Sequence, residues 1–479
     1  MGHDFRKPRA DWHLGVPLFI CFVTALLLRV AVAFRFPSIE YADEIFNTLE
    51  PAHRLAYGYG IVVWEWVRGA RTWVFPAFLA GVMRITSWMG PGSLGYLRAI
   101  AVLLSLLSLV SIWFGYVWAK RSSGSAAALI AAWGCATWYQ LVYFAPKAFT
   151  EVVSTDLLLP GLYFGMYGEE LPEKQRLFLS GLLLGTAVSL RIQLAPAIGF
   201  AVLYFCHRKW KMRGPAVLGG LLLAVVAFGL VDAVTWSYPF QSFFMNVWIN
   251  IFEKRNTLYG IEPWYWYLLL LLKSLGPMLL LALVGVRRSP FLGWLVLLIV
   301  LSHSMVPHKE LRYMYPVMPI LITLAALGFV ELVELFRVRS PQRTVVIAGV
   351  IFAVLTSSIL AWRFPNWTQL SGGLIAMDRL SQDRSVCGVG LYRIGWGASG
   401  GYTHLHQNVP IVFVLRSADF ERSTLSFNAL LTSGLLPDPK VGFEVAGCWN
   451  GICLYRRAGP CLPPSQDSEL NTILRKYRQ

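Results

Sequence analysis

Tyr41-Ala42-Asp43-Glu44 sets two carboxylates side by side just after an apolar run. Adjacent carboxylates near an apolar surface can have raised pKa values, and one can serve as a general base. The same residues also suit a helix start, with Asp43 as the cap of an apolar-periodic segment. A second cluster, Pro307-His308-Lys309-Glu310-Leu311-Arg312-Tyr313, gathers three potentially cationic groups around one carboxylate. Lys and Arg so placed can hold a phosphate or diphosphate by charge-assisted hydrogen bonds, or can anchor a helix end at a membrane interface. A third segment, Asp232 to Tyr267, carries Trp236, Asn246, Asn250 and Tyr259-Gly260-Ile261-Glu262-Pro263-Trp264-Tyr265-Trp266-Tyr267. Its aromatic rings can stack on sugar faces or sit in the interfacial belt, the commoner reason for them. Lys147 with Glu151 and Arg191 with Gln193 are lesser sites, where charges either serve function or pair with each other.

The elements that position these groups are apolar. Of 479 residues, 56% are hydrophobic, 14% aromatic and 14% charged, with mean hydropathy +0.54. Soluble domains average about 25% charged residues. The composition excludes a soluble cytosolic enzyme, a disordered chain and a disulfide-stapled mini-protein, and leaves a polytopic all-α membrane protein. Continuous apolar runs, not weak alternation, exclude a β-barrel. Runs at 14–34, 96–118, 125–145, 152–167, 177–190, 194–206, 215–233, 264–285, 290–304, 313–335 and 344–362 predict eleven spans, the pair 177–190 and 194–206 being short. The first run is long for a signal peptide and reads as a retained span.

The net charge of +16 sits in short clusters between runs, which indicates topology, with membrane lipids and not nucleic acid as partner. With a cytoplasmic N-terminus, one side holds Lys120 and Arg121; Lys174 and Arg176; Arg208, Lys209, Lys211 and Arg213; Arg287 and Arg288; and Arg337, Arg339 and Arg343. Residues 35–95, 234–263, 305–312 and 363–479 then face outward, so the chemistry-bearing clusters share one side. Residues 35–95 hold Asp43, Glu44, Glu50, His53, Trp64, Glu65, Trp66 and Arg71, and loops this long are usually functional. Ile45 to Leu55 has helical spacing that suits a helix along the interface. The reading divides the chain into a membrane core, 1–362, and a small mixed α/β extracytoplasmic domain, 363–479, with β-like runs such as Pro410 to Leu415. Four of seven cysteines, Cys387, Cys448, Cys453 and Cys461, lie in that domain, as disulfides or as free thiols, with three full pairings open. No spacing suggests a zinc site, and no internal repeat is present.

These motifs, in this order, resemble family 22 of the glycosyltransferases, the dolichol-phosphate-mannose-dependent α-mannosyltransferases of GPI-anchor and lipid-linked oligosaccharide assembly. The family's His-Lys-Glu-x-Arg-Phe/Tyr motif is similar to His308-Lys309-Glu310-Leu311-Arg312-Tyr313. Its first-loop pattern is similar to Ala42-Asp43-Glu44, Glu50-Pro51-Ala52-His53, Gly60-Ile61-Val62-Val63-Trp64-Glu65-Trp66 and Arg71-Thr72. The paired Asn246 and Asn250, Tyr259-Gly260 and Pro263-Trp264-Tyr265-Trp266-Tyr267 also match. Ala42 replaces a family Pro and Val63 a family Thr; neither change removes a titratable group. The match runs from about residue 14 to residue 335 and does not extend to the C-terminal domain.

The resemblance implies a GT-C fold with an outward cavity and an inverting transfer, most simply of mannose, from a polyprenyl- or dolichyl-phosphate donor to a glycan or glycolipid acceptor. Transfer needs a base for the acceptor hydroxyl and cations for the departing phosphate. Asp43 is the expected base, and Glu44 would orient it or bind acceptor. His308, Lys309, Arg312 and Arg71 would receive the phosphate, with Glu310 paired among them. Glu50, His53, Trp64, Glu65, Trp66, Tyr259 and Trp264 belong to acceptor-binding or structural loops. The donor is a co-substrate, so no cofactor and no metal are expected. Two other classes are a transporter of lipid-linked sugars and a non-catalytic subunit of a glycosylation complex. A transporter calls for midplane charges and repeat symmetry, whereas the charges here cluster at one membrane face. A bacterial inner membrane is expected, the endoplasmic reticulum being the alternative; the terminal Lys476-Tyr477-Arg478-Gln479 carries no retention signal.

Overall fold

The computed structural model describes residues 15–92, 95–338, 340–414, 417–436, 442–465 and 468–476. Arg339 of the expected basic cluster, Leu415 and the last three residues lie outside them. Among the described residues, five helices are long and apolar enough to cross a membrane: Gly15–Arg35, Tyr96–Thr137, Trp210–Thr235, Leu311–Leu335 and Gln342–Trp362. A sixth forms if Trp266–Leu275 and Pro277–Gly285, bent by 104°, count as one.

Several expected spans are thus shorter or broken. The 42-residue Tyr96–Thr137 stretch holds two expected spans, and Gly124, at φ 83° and ψ −170°, breaks it just past Lys120 and Arg121. Only glycine adopts such a backbone readily. The Pro290–Ser304 helix has 15 residues, so it is about 22 Å long against roughly 30 Å of hydrocarbon. Glu173–Leu190 and Ala195–Cys206 are separated by a tight turn at Ile192–Leu194. That break carries Arg191 and Gln193 to one end of the bundle.

The bundle core is built around Trp118, Trp138, Tyr143, Phe144 and Phe149, all essentially inaccessible. A second core has a different plan. Ile45, Phe46, Leu49 and Ala52 of the first long connection pack with Leu374, Met377, Leu391 and Leu405 from the C-terminal part. The Ile45–Leu55 segment is helical, as its spacing predicts, but Ile45, Phe46, Leu49 and Ala52 are covered by protein and only Leu55 of its large apolar side chains is exposed.

The C-terminal part contains a five-stranded mixed sheet: β1 (Val389–Tyr392), β2 (Ile411–Val414), β3 (Ala429–Ser433), β4 (Phe443–Trp449) and β5 (Ile452–Arg457), in the order β2-β1-β3-β5-β4. β1 pairs in parallel with β2 and β3, while β5 is antiparallel to β3 and β4. The Ser371–Leu380 helix packs against β4 and β5. Disulfides join Cys387 to Cys461 and Cys448 to Cys453.

Candidate active site

Asp43 precedes a wide i→i+5 helical turn, Glu44–Leu49, that runs into the Glu50–Tyr57 helix. Such turns recur at functional sites because they re-aim side chains without ending the helix. Asp43 makes no capping hydrogen bond to the backbone. Its Oδ2 instead accepts from Arg312 Nη2 and lies 3.9 Å from Arg71 Nη2, while Oδ1 accepts from Asn47 Nδ2 at 2.9 Å. Asn47 stands four residues on, one helical turn away, and also donates to Glu65 Oε1 at 3.1 Å. Arg71 closes the ring, 3.7 Å from Glu65 Oε1.

Burial raises the Asp43 carboxyl, but the charges of Arg312 and Arg71 outweigh it and hold the group well below the usual carboxylate range. Burial pushes Glu65 up, with Arg71 opposing. Asp43 is also the accessible partner: its side chain is 34% exposed against 4% for Arg312. The arrangement is an ionised, reachable carboxylate held on a buried guanidinium.

Arg312 begins the turn that leads into the Met318–Leu335 helix. Its Nε donates to Glu310 Oε2 at 2.5 Å and lies 3.4 Å from Glu151 Oε1. Glu151, 2% exposed, is also 3.3 Å from Arg191 Nη2. The Arg312 guanidinium lies over the rings of Tyr41, Phe149 and Tyr313 at 4.9, 4.9 and 5.2 Å. Stacking on three rings with three carboxylates around it fixes its plane. Gly69, at φ 66°, shapes the turn before Arg71, and a Cβ there would run into the Gln241 amide.

Asp43, Asn47, Arg71, Thr150, Glu151, Arg191, Gln193, Ser242, Asn246 and Arg312 line one cavity of about 100 Å³. Its lining brings together residues from the first connection, the Thr150 turn, the break at Arg191 and the Gln241–Val247 helix. Its polar groups suit hydroxyls, and its three arginines suit a phosphate. Among the described residues, no group of three His, Cys, Asp or Glu side chains converges to hold a metal ion.

Glu44 is not in this cavity. Its Oε2 is 3.4 Å from Lys147 Nζ, its Oε1 accepts from the Ala148 N–H at 3.3 Å, and it lines a second cavity. His308 Nε2 meets Glu310 Oε1 at 2.8 Å, which raises the imidazole pKa. Lys309 turns back to donate to the carbonyls of Ser304 and Val306, at 3.2 and 2.5 Å, and so closes the end of the Pro290–Ser304 helix. Trp64 donates to the Tyr259 hydroxyl at 3.0 Å, and Tyr259 packs beside His308. Trp66 packs at a tilt against Trp73 and Trp236. Trp264 is 68% exposed and touches Tyr265.

Glu50 and His53 are fully buried and face the C-terminal part. Glu50 Oε1 accepts from the Thr403 N–H and hydroxyl at 2.5 and 2.6 Å, and Oε2 accepts from the Ile61 N–H at 2.6 Å. His53 shares a 2.9 Å hydrogen bond with His406 and another with the Tyr59 carbonyl. Asn47, Thr403 and His406 escape sequence reasoning. The first has a signal, its i+4 spacing from Asp43; the other two have none, because 353 residues separate them from their partners.

Residues 19–385 match the model of the Alg9-like mannosyltransferase family, and the chain belongs to that family. It is therefore a multi-pass membrane glycosyltransferase of the mannosyltransferase class. It is similar to GPI mannosyltransferase 3 of Drosophila melanogaster, 23% identical over 429 residues, with 85% of this chain and 73% of the relative covered. It is 27% identical over 414 residues to GPI mannosyltransferase 3 of Yarrowia lipolytica, with 83% and 77% covered. In fold it resembles ArnT from Cupriavidus metallidurans, solved bound to undecaprenyl phosphate: TM-score 0.66, 12% identity, 95% of this chain and 100% of that one covered.

Proposed function

We propose that the protein transfers a mannosyl residue from a polyprenyl- or dolichyl-phosphate donor to a hydroxyl of a glycan or glycolipid, inverting the anomeric centre to an α-linkage. The observation that carries this reading is the Asp43 carboxylate held between Arg312 and Arg71 in a polar cavity. Donor phosphate entering beside the two guanidiniums competes with Asp43 for them, and the carboxylate gains basicity as it is released. Asp43 then takes the acceptor proton as the acceptor oxygen bonds to C1. The bond from C1 to the phosphate oxygen breaks, and the lipid phosphate leaves with the electron pair, stabilised by Arg312 and Arg71. Side chains alone can neutralise a monophosphate leaving group, so the step demands no metal or cofactor.

In this reading the cavity opens on the extracytoplasmic side, of a bacterial inner membrane or of the endoplasmic reticulum. Two features support it. The Ala195–Cys206 helix starts at the site and ends at the basic turn Arg208–Lys209, and the Pro290–Ser304 helix starts beside Arg287–Arg288 and ends at the site. Basic turns mark the cytoplasmic side. Both disulfides also suit an oxidising compartment.

The test is transfer by purified wild type and Asp43→Asn in nanodiscs, given radiolabelled polyprenyl- or dolichyl-phosphate mannose and a membrane lipid extract. Asp43-dependent labelling of a new glycolipid supports the reading, and the preferred lipid separates the two membranes. Labelling that is equal in the variant, or absent with every lipid-phosphate hexose, sinks it.

A further inference from the structure

Behind the Asp43 site lies a larger cavity, of about 400 Å³. Its walls come from the end of the Gly15–Arg35 helix, the start of the Tyr96–Leu107 helix, the loop around Lys147 and the Ser371–Leu380 helix of the C-terminal part. Val32, Phe34, Leu97, Ile100 and Leu374 make one side apolar. Two of those walls are parts of candidate membrane spans, so the apolar side continues toward hydrocarbon.

The charged groups facing this space do not balance. Of its carboxylates, Glu44 is paired with Lys147, and Asp378 Oδ1 accepts from His404 Nδ1 at 2.9 Å. Arg98 and Arg379 also line it, both exposed, and among the described residues neither has an ion-pair partner. The Arg98 guanidinium is 5.1 Å from the centroid of the Phe34 ring, over its face. Two guanidiniums without an ion-pair partner among the described residues, beside an apolar wall, match an amphiphile with an anionic head. Arginine's planar fork favours a phosphate over a point charge.

We propose that this cavity binds the phosphate-bearing head of a membrane amphiphile, with Arg98 and Arg379 as the phosphate clamp and the hydrocarbon along Val32, Leu97 and Ile100. The source is either the anchor of the glycolipid acceptor or a bulk membrane phospholipid. Only the choice between these sources rests on the proposed transfer reaction; the binding itself does not. Because Glu44 and Lys147 line the cavity, its occupant touches the segment that carries Asp43 without entering the Asp43 cavity.

The experiment is a native mass-spectrometric titration of the full-length protein with phosphatidic acid and with diacylglycerol of the same chains. Phosphatidic acid should bind at least tenfold more tightly than diacylglycerol. The Arg98→Gln/Arg379→Gln variant should lose at least tenfold in phosphatidic acid affinity. Equal binding of the two lipids, or full retention by the double variant, overturns the proposal. Both substituted arginines are exposed, so the fold does not depend on them, and an unchanged thermal midpoint checks this. Transfer kinetics then separate the sources. A raised KM for the glycolipid acceptor with kcat retained identifies the acceptor's anchor; an unchanged KM alongside lost phosphatidic acid binding identifies bulk phospholipid. A protein that transfers no mannose at all leaves the titration result standing while it removes the transferase reading.

Discussion

The carboxylates of Asp43 and Glu44, adjacent in the chain, line different cavities: Asp43 meets Arg312 and Arg71, and Glu44 meets Lys147. Successive residues on a helical turn point about 100° apart, so one short segment serves as the wall between two binding spaces. A pair that reads in sequence as one acidic site is in the fold two sites with separate partners.

Replacing Asp43 with Asn removes the proposed base while it keeps the shape and the Asn47 contact. General-base catalysis contributes about 10²–10⁴-fold, so the transfer rate should fall by at least about 100-fold with the thermal midpoint within a few degrees of wild type. A variant that transfers at near wild-type rate removes Asp43 from the mechanism.

Arg312→Gln leaves Asp43, Glu310 and Glu151 without their shared cation. Breaking a buried ion pair on one side costs about 3–5 kcal/mol, so denaturant unfolding should show a loss of this order together with lost transfer. Adding Glu151→Gln removes one stranded charge and should recover part of the stability but none of the activity. No recovery would mean that Glu151 and Arg312 are not coupled.

The His53–His406 contact makes the junction acid-sensitive. Burial pulls the His53 imidazole down to about 4, with the His406 ring acting in the same direction. The unfolded chain takes up that proton near pH 6.5. Stability is therefore full above about pH 6.5 and falls as the pH drops toward 4, by up to about 3 kcal/mol. The wild-type thermal midpoint should fall between pH 7 and pH 5. His53→Gln should start lower at pH 7 and lose less over that interval; an equal slope in the two proteins assigns the acid sensitivity elsewhere.

The two disulfides should differ in weight. Cys387–Cys461 closes a separation of 74 residues and Cys448–Cys453 one of 5. Loop-closure entropy gives about 4 kcal/mol for the longer loop and about 2 kcal/mol for the shorter. Cys387→Ser/Cys461→Ser should thus lower the thermal midpoint more than Cys448→Ser/Cys453→Ser. The reverse order would point to residual structure in the unfolded chain that already holds the long loop.

What the sequence makes legible follows from the range of each interaction. Apolar runs locate the bundle because hydrocarbon demands them, and ordered local motifs bring Asp43, Glu65, Arg71 and Arg312 to notice before any coordinates. The span count is less legible, because Pro290–Ser304 is apolar yet has only 15 residues, whereas the boundary expected between 96–118 and 125–145 falls where Gly124 breaks the helix. Lys309, which reads as a phosphate ligand, spends its protons on the carbonyls of Ser304 and Val306, a choice made by a backbone turn. Glu50 and His53 read as loop residues beside a site. Their partners Thr403 and His406 carry no motif and lie in a segment that no local pattern ties to them.

The shared core of the first connection and the C-terminal sheet has a consequence for how the protein is made. Ile45, Phe46 and Ala52 leave the ribosome early, whereas Leu391 and Leu405 follow some 350 residues later. Contacts so distant in sequence close last. The segment carrying Asp43 therefore waits, inserted but unsettled, until Leu391 and Leu405 have been synthesised. A chain stalled or cut before Leu391 lacks half of the core that holds this segment in place.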